Sequence, residues 1–150
     1  MQHIKEQLYQ HCANYINRQR KEINDTISSL QDAITEDTKS SAGDKYETGR
    51  EMLQQDIDLN TTRLRELDNM QATLDRILPA FTAAAIVPGA LVCTDAGNYY
   101  LSVSAGKCKI GNDIYYTIST HSPAGAALRN HATGDEVLLN GRTIKIKSIY

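Results

Sequence analysis

The chain has no tryptophan, one phenylalanine and three prolines in 150 residues, and none of the prolines falls before position 79. Before that point its only glycines are Gly43 and Gly49, near the middle of the segment. Residues 1–78 therefore lack the usual breakers everywhere except at their centre, which predicts one helix out, a reversal, and one helix back. Cysteine is also scarce. Cys12, Cys93 and Cys108 are odd in number and widely spaced, with no CxxC or Cys/His cluster. That pattern argues against a structural zinc site and predicts a reducing, cytoplasmic setting. No signal-peptide apolar core is visible at the start. The longest apolar run, residues 80–92, is too short to cross a bilayer and is broken by Pro88-Gly89, so no membrane role is expected. An excess of charge of either sign is nearly absent: the net charge is -2, and no basic cluster exceeds Arg18, Arg20 and Lys21, so the composition gives no nucleic-acid footprint.

What is present is a soluble composition, 41% hydrophobic and 23% charged, that divides into two textures. Residues 1–78 carry 10 basic and 14 acidic side chains; residues 79–150 carry 6 and 4. Leu53, Ile57, Asn60, Leu64, Leu67, Gln71, Leu74 and Leu78 alternate in steps of four and three, an a/d seam with two polar insertions that are expected to fix register. The first arm is weaker: Ile4, Leu8, Cys12, Tyr15 and Ile16, then Ile23, Ile27, Leu30 and Ile34, with Gln19 and Arg20 interrupting. The polar stretch 37–43 reads as a turn. The expectation is an antiparallel coiled-coil hairpin over 1–78, its tip at about 38–47, with a second helix roughly 50 Å long. A dimerising coiled coil is the alternative.

Pro79 is expected to stop the second helix near Leu78. Beyond it, residues 90–94, 98–104, 107–110 and 114–119 read as short strands separated by glycine turns. Ser122-Pro123 has a capping serine before proline at the first helical position, which opens a short helix. Residues 137–139 and 143–149 flank Asn140-Gly141, a type I′ hairpin signal. The fold class is thus α+β: a helical hairpin over 1–78, then, over 79–150, a small antiparallel sheet packed on one short helix.

Two segments resemble the Gre family of bacterial transcript cleavage factors (GreA and GreB). The run Ser122-Pro123-Ala124-Gly125-Ala126-Ala127-Leu128, followed by Gly134-Asp135-Glu136-Val137, is similar to the family signature "SP-x-x-x-A-L … GD-x-V". Gly43-Asp44-Lys45-Tyr46-Glu47 is similar to the family's "GD-L-x-E" at the hairpin tip. The resemblance implies an FKBP-like second domain that docks on RNA polymerase. It implies a coiled coil inserted into the secondary channel, and tip acids that help hold a Mg²⁺ shared with the polymerase while the polymerase hydrolyses backtracked RNA near its 3′ end. Carried onto this chain, Asp44 and Glu47 would be the catalytic and metal-binding tip acids, and Ser122 and Pro123 would bind the partner. The protein would be a monomer that assists an enzyme without being one, and would hold no metal alone. The chemistry fits the residue types: Mg²⁺ takes hard carboxylate oxygens and keeps waters, and two such groups are too few to hold it without a second protein. D-x-x-E spacing places both acids on one face of a helical turn. The same spacing is also a capping box.

Two departures stand out. After the tip the chain reads Thr48-Gly49-Arg50-Glu51 where the family has "N-A-E-Y", and Gly125 is bare where the family is often basic or bulky. Relatives with altered tips inhibit polymerase, so a channel-binding regulator that does not stimulate cleavage is the first alternative. A coiled-coil adaptor with another partner is the second. A prolyl isomerase is disfavoured because one Phe and no Trp cannot line an apolar proline pocket. His3, His11, His121 and His131 are scattered, and His121 beside Ser122 is too close in sequence to act as its base. Tyr99-Tyr100 and Tyr115-Tyr116 are either a base-stacking surface or, as alternation favours, pairs split between the two faces of a strand. Arg18, Arg20 and Lys21 read as a solvated face.

Overall fold

The computed structural model describes the backbone of residues 1–39 and 44–150 and the side chains of residues 1–36 and 48–150. Two long helices come first, α1 (Gln2–Lys39) and α2 (Asp44–Asp75). There follow strands β1 (Leu91–Thr94), β2 (Asn98–Ser102), β3 (Gly106–Ile110) and β4 (Asp113–Ser119), the short helix α3 (Pro123–Leu128), and strands β5 (Glu136–Leu139) and β6 (Arg142–Ile149). The fold is α+β: two N-terminal helices, a six-stranded mixed sheet and one short helix.

By contact the chain forms two compact units. One is Met1–Tyr15 together with Gln71–Tyr150; the other is Ile16–Met70. In the second unit α1 and α2 pair. Ile16, Ile23, Ile57, Asn60 and Leu67 are buried, and Arg20 meets Asp68 at 2.5 Å although they are 48 positions apart. That pairing, together with the short link between Lys39 and Asp44, makes the helices antiparallel.

α2 ends at Asp75, earlier than Leu78. The ring of Pro79 collides with the carbonyl four residues back, which belongs to Asp75. The chain tightens there: the Arg76 amide donates to Thr73 O (3.2 Å) and the Ile77 amide to Leu74 O (3.0 Å). The expected seam is corrected at its last position, because Leu78 is 69% exposed and Ile77 is buried instead.

The sheet order is β3-β4-β2-β1-β6-β5. The pairs β1–β2, β1–β6, β3–β4 and β5–β6 are antiparallel. The pair β2–β4 is parallel, with Tyr99 opposite Tyr116, so the expected all-antiparallel pairing is corrected there. The cause is which strand tolerates an edge. β3 carries Lys107 and Lys109 with little apolar surface, suiting the rim, where lysines blunt an open edge. β4 buries Tyr115 and Thr117 and takes the interior place beside β2.

Alternation gives the sheet two covered faces. On one, Val92, Leu101, Val137, Leu139, Ile144 and Ile146 pack with Leu128 of α3 and with Ile86. The other buries Tyr100, Ser102, Tyr115 and Thr117, and the start of α1 attaches to it. Cys12 Sγ lies 3.3 Å from Ser102 Oγ, and His11 Nε2 lies 3.0 Å from Ala105 O. Leu8, fully buried in α1, contributes about 2 kcal/mol through the apolar area it withdraws from water.

Candidate functional site

The segment 119–130 joins β4 to the end of α3 and carries the partner-binding expectation. Ser122 is the N-cap of α3, in extended conformation (φ -67°, ψ 159°). Its hydroxyl donates to Ser119 O at 2.6 Å and accepts from the Gly125 amide at 3.1 Å. Pro123 occupies the first turn, where a missing N–H costs nothing, and its side chain is exposed. Ser122 Oγ is therefore committed to the cap, consistent with no base role for the exposed His121.

Gly125 explains itself sterically. A Cβ there would stand 2.2 Å from Ser119 O and 2.9 Å from Thr120 Cα. α3 approaches the end of β4 too closely for any side chain, which is why the position is bare. The other half of the signature is also structural. Gly134 has φ 95°, its amide donates to Ile146 O at 2.8 Å, and Asp135 Oδ2 accepts from the Ala132 amide at 2.8 Å. His131 Nδ1 lies 3.4 Å from the same carboxylate.

Beside this segment lies a cleft of about 430 Å³ lined by Ile86, Val87, Pro88, Leu101, Thr120, His121, Arg129 and Asn130. Its floor is apolar and its rim cationic and polar. The guanidinium of Arg129 donates to Thr120 O at 2.7 Å, which fixes the rim against the loop that precedes Ser122. Sequence reasoning located Ser122 and Pro123 but not this cleft, because Ile86 and Leu101 reach it only through the fold.

The other expected site lies at the start of α2. α2 begins at Asp44. The side chains of Asp44 and Glu47, and all of residues 40–43, lie outside the described residues, as does any pairing of Glu47 with Arg50. Arg50 is exposed, and with Ile34, Glu51 and Gln54 it lines a crevice of about 350 Å³ in the helical unit. Of the basic group in α1, Arg20 is paired with Asp68, while Arg18 and Lys21 are exposed.

Among the described residues no three His, Cys, Asp or Glu side chains converge on a metal-sized site. The three cysteines are free thiols. Burial pushes all three thiols above their ordinary value, Cys12 against the opposing effect of its bonds to Ser102 and Thr117. Each tyrosine pair divides between faces as alternation predicts: Tyr100 and Tyr115 are buried, while Tyr99 and Tyr116 stack on the other side with ring centroids 5.7 Å apart. No described helix is long and apolar enough to cross a membrane.

No protein-family model matches the chain, and no curated protein matches it. Among solved structures it is similar to GreA factor homolog 1 (Gfh1) of Thermus thermophilus, with 21% identity over 95% of this chain and 94% of that one, at a TM-score of 0.36.

Proposed function

We propose that the chain is a Gre-like factor that binds RNA polymerase and inserts its helical hairpin into the secondary channel to stimulate the polymerase's own cleavage of backtracked RNA. One observation supports this reading: both family-like segments open a helix, the first α2 and the second α3. Asp44, with Glu47 after it, opens α2 directly after the link from α1. Ser122 and Pro123 open α3 at the rim of an apolar cleft with a cationic edge. In this reading the sheet unit docks through Ser122, Pro123 and that cleft. Asp44 and Glu47 supply carboxylate oxygens to a Mg²⁺ whose remaining ligands belong to the polymerase. Such an ion stabilises the attacking and leaving oxygens of phosphodiester hydrolysis. The protein itself is a helper and turns over nothing alone.

The alternative of a channel-binding regulator without cleavage stimulation is favoured by Gly49 and Arg50. Glycine weakens the first turns of α2, and the exposed Arg50 sets a cation one turn from Glu47. One experiment separates the readings: a backtracked bacterial elongation complex, Mg²⁺, and the RNA 3′ end followed on a gel. Shortening that disappears in Asp44→Ala and Glu47→Ala supports stimulation. Binding with slowed synthesis and no shortening supports the regulator. Absence of binding sinks both and leaves the adaptor.

A further inference from the structure

The sheet face that α3 covers is left open at its β3–β4 end. Ile114 is 37% and Tyr116 38% exposed there. Tyr116 stacks on Tyr99, its parallel neighbour on β2, at 27° between ring planes. On the edge strand Lys107 stands opposite Tyr116, and Lys109 opposite Ile114. Residues directly opposite in a ladder project to the same face, so both exposed lysines border the rings. Asp113 is the sole carboxylate on β2, β3, β4 and α3, and it acts on Cys93 and Tyr115, on the opposite face. Asp95, in the turn whose Gly97 abuts the two rings, accepts from the Lys145 amide at 2.9 Å. The patch is therefore aromatic and apolar with two lysines along its edge, a local concentration that the chain's net charge of -2 conceals.

From this juxtaposition we propose that Tyr99, Ile114, Tyr116, Lys107 and Lys109 form a docking surface for a single-stranded RNA segment. Bases stack on exposed ring faces while lysines neutralise the phosphates, and sheet platforms built this way favour unpaired strands. Lysines on an edge strand also serve to deter strand addition, and an acidic peptide would satisfy them as well as phosphates do. Only a ligand with flat π-faces uses the tyrosines too. None of these five residues lines the cleft beside Ser122, and the surface stands or falls independently of polymerase binding.

The test uses the full chain and a fluorescein-labelled oligouridylate of about 12 nucleotides, read by fluorescence anisotropy across a salt series. Saturable binding is expected. Tyr116→Ala should weaken it about tenfold, while Tyr116→Phe retains it. The double variant Lys107→Ala, Lys109→Ala should reduce the slope of log affinity against log salt by about 1.4. Melting by circular dichroism verifies that each variant is folded. Any of four results overturns the proposal: no saturable binding at low salt, equal binding of the matching duplex, displacement by polyglutamate as effective as by RNA, or unchanged binding in a folded Tyr116→Ala. No polymerase is present, so failure here leaves the role at the secondary channel untouched.

Discussion

The ammonium of Lys5, near the start of α1, lies 3.1 Å from the backbone oxygen of Tyr150, 145 positions away. The same Nζ donates to Phe81 O, and the residue is 2% exposed. One cation thus ties α1, the segment after α2 and the strand β6 end into a single unit. Lys5→Met keeps the stem but removes both bonds; Tyr150 O retains the Leu91 amide at 2.9 Å while Phe81 O loses this donor, and stability should fall by about 2 kcal/mol in urea unfolding. A pH effect accompanies it. Burial holds the Lys5 ammonium below its ordinary 10.5. Between the lowered value and 10.5 the unfolded chain binds the proton and the folded one has released it, so the Lys5 contribution to stability rises with pH across that window. Because the buried thiols and Tyr100 act in the opposite sense, the effect is read as the difference between parent and Lys5→Met, whose urea midpoints should shift relative to one another in favour of the parent as pH rises through the window.

Tyr100 behaves in the opposite sense. Its hydroxyl is buried and has no hydrogen-bond partner among the described residues. Burial, helped by Cys12 and Tyr9, raises its ionisation well above 10.0. From 10.0 up to that raised value the folded state keeps the proton that the unfolded state loses, so stability falls as pH rises through the window. Tyr100→Phe removes an unsatisfied polar atom without changing the ring. It should be neutral to about 1 kcal/mol stabilising at neutral pH, and it should flatten the alkaline decline. Thermal melts at pH 7 and above pH 10 measure both effects.

Gly125→Ala introduces a methyl 2.2 Å from Ser119 O. The obstacle is backbone, so α3 must move off β4, taking Leu128 out of the core. A loss of about 3 kcal/mol is expected. Gly134→Ala is the contrast: nothing lies within 4 Å of its Cβ position, but φ is 95°. Its cost comes from backbone strain alone and should be nearer 1 kcal/mol. Chemical denaturation of the two variants side by side checks the order.

Ser122 and Pro123 separate capping from docking. Ser122→Ala removes a cap and should cost about 1 kcal/mol of stability, whatever its effect on a partner. Pro123 makes no hydrogen bond through its side chain and is exposed. Pro123→Ala should therefore change stability by less than about 0.5 kcal/mol, the usual range for surface positions. If the segment is the docking surface, it should weaken binding to RNA polymerase in a titration. Unchanged polymerase affinity in Pro123→Ala would remove this residue from the interface.

The legible parts of the fold were those with local causes. Asn140 and Gly141 have φ of 51° and 75°, the signs a type I′ turn demands, and the dipeptide alone announces them. The Ser122 cap and the strand alternation that splits Tyr99 from Tyr100 are local in the same way. What the chain concealed depends on distant partners. Nothing near Lys5 indicates Tyr150, and nothing near Cys12 indicates Ser102. The parallel β2–β4 pairing follows from which of two strands tolerates the rim, a competition invisible in either strand alone. The cleft at Arg129 is assembled from residues far apart in sequence. The tip acids were legible as a motif, while their side chains lie outside the described residues.

The two polar seam residues bond within their own helix. Asn60 is 8% exposed, and its amide donates to Asp56 O in its own helix at 2.8 Å. Gln71 likewise donates to Asp75, one turn on, at 2.7 Å. Both bonds lie within α2, so the register role expected of these amides is not carried by them. What remains at Asn60 is a buried amide with an intrahelical partner, whose desolvation is only partly offset. Asn60→Leu, which keeps the branching and the number of side-chain heavy atoms, should therefore raise stability by about 1 kcal/mol without altering the oligomeric state. Urea midpoints and sedimentation velocity of parent and variant decide the matter. A variant that sediments as a larger or mixed species would restore the polar residue to a role in specifying how the helices pair.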